Sequence, residues 1–152
     1  MYNTQESKYR SEVIERFINI EWLINAIITQ HYFKRIVASF LFDVLYDEYF
    51  NFGLKRRILE KIIPNIDKSR IHDLNRLNTI RNYFAHCNQE IFFGSGIPHS
   101  EEKGFIPNPR KLTEEVDFET LYNEFLEIEK SVANYLMSIL KSLGAKITKG
   151  ED

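Results

Sequence analysis

The chain has 152 residues, 43% of them hydrophobic, and a formal net charge of −2. That length predicts one domain that buries about two-thirds of the surface its unfolded form exposes, so no disulfide or metal is needed to fold it. A single cysteine, Cys87, excludes an internal disulfide framework and fits a reducing cytosol. The first residues are polar and no apolar run reaches the roughly 18 residues of a membrane span, so the expectation is a soluble, cytoplasmic protein.

In chain order the pattern predicts an all-α, up-and-down bundle of about five helices. From Ser11 to about Tyr32, Val13, Ile14, Phe17, Ile18, Ile24 and Ile28 recur at threes and fours, which marks a long amphipathic helix. A second helix over 36–50 is apolar on several sides through Val37, Phe40, Leu41, Phe42, Val44, Leu45, Tyr46, Tyr49 and Phe50. Such a helix is either buried all round or shared with another subunit. Gly53 opens a short third helix that Pro64 stops, and Asp67 or Ser69 is the N-cap of a fourth through Ile71, Leu74, Leu77 and Ile80.

Residues 91–112, rich in glycine and proline, read as an insertion. They form an ordered loop or a small hairpin pairing Ile91-Phe92-Phe93 with Phe105-Ile106. A last helix carries Phe118, Leu121, Phe125, Ile128, Val132, Tyr135 and Ile139 to about Leu143. The domain thus covers 1–143, with a frayed tail over 144–152.

Charge is unevenly spread. Between Lys55 and Arg81 stand eight basic residues and three acidic ones, and the order reverses from Glu114 to Glu129. Lys55, Arg56 and Arg57 form a cluster suited to a nucleic-acid backbone, or simply a solvated face. His31, His72, His99 and Cys87 have no metal-ligand spacing, and Gly94-Ser95-Gly96 lacks the lysine of a phosphate-binding loop, so neither a metal nor a cofactor is expected.

The end of the fourth helix carries the chemistry. Arg81-Asn82-Tyr83-Phe84-Ala85-His86 holds an arginine, which grips phosphate oxygens, a histidine, which moves protons near neutral pH, and an asparagine able to orient either. At about 100° per residue from Arg81, Leu74 falls near 20°, Leu77 near −40° and Phe84 near −60°, which places Arg81 almost at the centre of the apolar stripe. Asn82 and His86 share one flank at about 100° and 140°, and Tyr83 points away, where it can stack on a base. A guanidinium in such a stripe needs a carboxylate. Glu21 is the one acid centred on the apolar face of the first helix, with Asn25 as its polar neighbour, and is expected to accept from Arg81.

This Arg-Asn-x-x-x-His run resembles the signature of the HEPN domains, all-α modules of which many are RNA-cleaving toxins or defence proteins. The resemblance implies a metal-independent endoribonuclease. In it His86 acts as general acid or base, Arg81 stabilises the phosphate, Asn82 orients, and the ribose 2′-hydroxyl attacks. It also implies a homodimer with both motif helices at one cleft, and a neutralising antitoxin or regulatory protein as a further partner. The mannitol repressor family carries a similar run and acts by protein contact. If the chain resembles that family instead, the polar cluster is structural and His86 can be buried.

Overall fold

The computed structural model describes residues 4–86, 105–108 and 111–144. The chain is an all-α helical bundle with one small hairpin. Its helices are α1 Thr4–Phe33, α2 Ala38–Phe40 continued by a π-helical turn Leu41–Leu45, α3 Phe52–Ile62, α4 Lys68–His86 and α5 Phe118–Ser142. The hairpin joins β1 Phe105–Asn108 to β2 Lys111–Asp117 in antiparallel register, Phe105 opposite Asp117 and Ile106 opposite Val116. The β1 partner is therefore the segment leading into α5. Residues 91–93, expected to pair with it, lie outside the described residues, as do Cys87, His99 and the 144–152 tail beyond Gly144. Among the described residues no helix is long and apolar enough to cross a membrane.

Helix α1 begins at Thr4, seven residues before the expected Ser11. Its first turns are anchored by side chains that a periodicity count passes over. Glu6 pairs with Arg10 at 3.5 Å, and Tyr9 stacks on Tyr122 with ring centroids 4.0 Å apart. The expected α2 over 36–50 is shortened to a helix ending at Leu45. There the amide of Tyr46 reaches back five residues to the carbonyl of Leu41, and turns follow to Asn51. The helix buried all round is instead the second half of α1, where every residue from Leu23 to Gln30 is buried, whereas Phe42, Tyr46 and Tyr49 are exposed.

Capping residues set the remaining ends. Asn51 accepts from the amide of Leu54 at 3.0 Å to start α3, and Asp67 accepts from the amide and hydroxyl of Ser69 at 2.9 and 2.7 Å to start α4. Those hydrogen bonds hold the Asp67 carboxyl below its ordinary range. Asp117 accepts from the amide of Glu119 at 3.0 Å, which ends β2 and begins α5, and Gly144 at φ 84° stops α5 in a left-handed conformation.

Two compact units divide the chain, one built from Met1–Ile18 and Asp73–Lys130, the other from Asn19–His72 and Ser131–Asp152. In the first, Phe17, Leu74, Leu77, Ile80, Phe84, Leu121 and Phe125 are buried. Arg76 forks onto Glu124 at 2.6 and 2.9 Å, and Glu12 accepts from Tyr122 Oη at 2.8 Å and from Arg16. Arg16 also reaches Glu129 at 3.4 Å. In the second unit the core runs through Ile24, Ile27, Leu45, Leu59, Val132 and Leu136, with Tyr135 Oη accepting from the amide of Asp67 at 3.0 Å.

Candidate functional site

Buried positions on α4 are Ile71, Leu74, Leu77, Ile80 and Tyr83, three residues apart, joined by Phe84. A spacing of three falls short of a full 3.6-residue turn, so the buried stripe drifts by about 60° at each step. By the motif it has moved past Arg81. Tyr83, expected to be open for stacking, is only 8% exposed, while Arg81 and Asn82 are half-buried and Ala85 and His86 are exposed. Arg81 thus lies at the margin of the stripe rather than at its centre.

Phe17 of α1 lies beneath the Arg81 guanidinium, whose carbon is 4.6 Å from the ring centroid, within cation–π range. One terminal nitrogen of Arg81 donates to Asn78 Oδ1, one helical turn back, at 2.8 Å. A stacked, hydrogen-bonded guanidinium keeps a fixed plane, and its fork of donors is what recognition of a phosphate requires. One turn separates Asn82 from His86, which is the final residue of α4. An exposed imidazole there can exchange protons with solvent or substrate.

Glu21 has a basic partner other than the expected Arg81. Its Oε1 accepts from Lys55 Nζ at 2.8 Å. Lys55 is 2% exposed and its ammonium also lies 5.4 Å from the centroid of the Tyr46 ring. A buried lysine already engaged by a carboxylate is not available to an RNA backbone, and the assignment of Lys55 to substrate binding is corrected on that ground. A signal for this burial was present. Phe52, Lys55 and Leu59 are spaced as one face of α3, so Lys55 interrupts an apolar stripe as Glu21 does on α1. Asn25, one turn after Glu21, is fully buried, and neither its Nδ2 nor its Oδ1 has a hydrogen-bond partner among the described residues. Burying an amide in that way costs on the order of 1–3 kcal/mol.

The two expected charge regions are partly joined by the fold. Arg76 is taken up by Glu124, and Arg56, half-buried, lies 3.5 Å from Glu60. Arg57 is exposed as expected, and Lys61, one turn along α3, is exposed with it. Lys61 is one of the eight basic residues between Lys55 and Arg81 but was not singled out for substrate binding, although its spacing of four from Arg57 places the two on one face.

The chain matches no protein-family model, no curated protein and no solved structure.

Proposed function

We propose that the protein is a metal-independent endoribonuclease of the HEPN type, working as a homodimer in the cytoplasm as a toxin or antiviral defence component under the control of a neutralising partner. The observation that carries this reading is the exposure of His86 at the end of α4, with Asn82 one turn before it and Arg81 held in a fixed plane. Proton transfer to a substrate requires an accessible histidine, whereas the contact reading is content with a buried one. In the reaction, the ribose 2′-oxygen bonds to phosphorus as its proton leaves, and the bond from phosphorus to the 5′-oxygen breaks as that oxygen gains a proton. The products are a 2′,3′-cyclic phosphate and a 5′-hydroxyl. His86 serves one of the two proton transfers, and Arg81 offsets the charge that builds on the phosphate oxygens. Arg57 and Lys61 hold the RNA backbone.

A protein-contact module resembling the mannitol repressor family is the second reading. It is favoured by the attachment of Arg81 to Asn78 and Phe17, which a structural arginine would also have. Labelled RNA and a matching DNA, incubated in EDTA with wild type and with His86→Ala, separate the two. Cleavage of RNA alone by wild type alone supports the ribonuclease. Equal products from both proteins, or none from either, favours the contact module.

A further inference from the structure

Between the end of α1 and the start of α3 lies a surface that the chemistry above does not use. Tyr32, Phe33, Ile36, Phe42, Tyr46 and Tyr49 are all at least 43% exposed, Tyr49 as much as 82%. Isolated exposed apolar side chains are ordinary, but five aromatics and an isoleucine within eighteen residues form the kind of patch that marks association. The segment is also ordered by its own contacts. Phe33 packs on Phe40 with centroids 4.9 Å apart, Phe42 stacks on Tyr46 at 5.7 Å, and Asp47 Oδ1 accepts from the amide of Tyr49 at 2.9 Å.

Its charges identify what covers it. Lys34 and Arg35 are exposed just before α2, and Asp47 and Glu48 are exposed just after the π-helical turn, with Asp43 between. The helical stretch from Ala38 to Leu45 separates the two ends by about 12 Å. Lys34 and Arg35 directly follow the C-terminus of α1, where cations are stabilised, whereas Asp47 and Glu48 follow the π-helical turn, at an end where the backbone dipole disfavours anions. The acidic pair therefore does not serve the helix it follows. Together the two pairs suit a neighbour with the opposite order, and an antiparallel copy of the same segment has that order. The three carboxylates oppose a nucleic-acid backbone, and no basic residue occurs from Ile36 to Leu54 to offset them.

We propose that this segment is the docking surface for a second copy of the chain, paired antiparallel about a two-fold axis. Lys34 and Arg35 of one copy face Asp47 and Glu48 of the other, and the aromatic side chains meet between. An isologous interface has this property, because each contact occurs twice. The π-helical turn lies within this surface, and Phe42 in it and Tyr46 just after it stack on one another and are both exposed. The inference rests on the homodimer of the preceding reading and not on its chemistry.

Charge exchange tests it. Variant one carries Lys34→Glu and Arg35→Glu, and variant two carries Asp47→Lys and Glu48→Lys. All four positions are exposed, and circular dichroism establishes that each variant folds. In sedimentation equilibrium at low salt the wild type is a dimer. Each variant alone places like charges opposite one another and weakens its dimer at least about tenfold, and an equimolar mixture of the two restores a heterodimer. A monomeric wild type, variants that dimerise as wild type does, or a mixture that stays as weak as its parents would each overturn the proposal. RNA cleavage by the same samples is read separately. Dimers that exchange as described but never cut RNA leave this surface standing and remove the ribonuclease.

Discussion

Lys55 and Glu21 form a salt bridge of 2.8 Å in which the lysine side chain is 2% exposed and the glutamate 27%. That asymmetry predicts unequal mutational costs. Glu21→Ala strands a buried ammonium and should lower unfolding stability by about 3 to 5 kcal/mol. Lys55→Met leaves a carboxylate that already reaches water, so its cost should be clearly smaller. Glu21→Leu combined with Lys55→Met should lie near wild type. Urea unfolding measures all three, and equal losses from the two single variants would show that the pair is not buried as described.

What the sequence made legible follows from what periodicity measures. A stripe of apolar side chains on one helix face is local, and it revealed α1, α4 and α5; Asp67 was one of the two residues expected to cap α4, whereas the capping of α5 by Asp117 was not foreseen. Partnership between helices is not local. Glu21 was recognisable as an acid in an apolar face, but two cations, Arg81 and Lys55, answered the same description, and spacing alone cannot choose between them. The shortened α2 was hidden for a related reason. An exposed apolar face and a buried one give the same pattern, so residues 36–50 read as a helix either buried all round or shared with another subunit, and the pattern could not show that Phe42 and Tyr49 are exposed. At the motif, the three-residue spacing along α4 carries the buried stripe past Arg81 and onto Tyr83, a property of the whole helix that the six motif residues do not contain.

Arg57 and Lys61, exposed one turn apart on α3, should set the salt dependence of RNA binding. Each phosphate contact on a single strand contributes about 0.7 to the slope of log affinity against log salt. Converting both residues to glutamine should therefore reduce that slope by roughly 1.4 and weaken binding to all sequences alike. Titrations of a fluorescent single-stranded RNA with His86→Ala protein measure binding without cleavage. An unchanged slope would place the RNA elsewhere.

Glu12 links stability to pH. Its carboxyl is held below the ordinary value of 4.5, chiefly by the hydrogen bond from Tyr122 Oη and then by Arg16. A lowered carboxylate stabilises the fold above its unfolded value and loses that contribution as pH falls through its folded one. Glu6 acts in the opposite direction, because burial raises its pKa, so its contribution is present at low pH and is lost as pH rises. Tyr122→Phe isolates the first effect. Its deficit against wild type should be about 1 kcal/mol near pH 7 and should shrink as pH falls below 4.5. A deficit that stays constant from pH 7 to the acid limit would mean that Tyr122 acts by packing on Tyr9 alone.

Arg81 and His86 stand five residues apart on α4, about 140° around the helix. Arg81 turns toward Phe17 and Asn78, whereas His86 is exposed, so the two side chains of one copy diverge from the same turn. A phosphate held on one side and protonated on the other is more easily reached by the arginine of one copy and the histidine of its partner. Arg81→Ala and His86→Ala should each abolish cleavage as homodimers. If the site is shared, mixing them after subunit exchange creates heterodimers that retain one complete Arg81 and His86 pair. At equimolar mixing half of the dimers are mixed and each holds one of two sites, so recovered activity should approach about a quarter of wild type. Exchange can be followed by native mass spectrometry of isotopically labelled subunits. Mixed dimers that form in full and cut no RNA would place both residues of each working site in one copy.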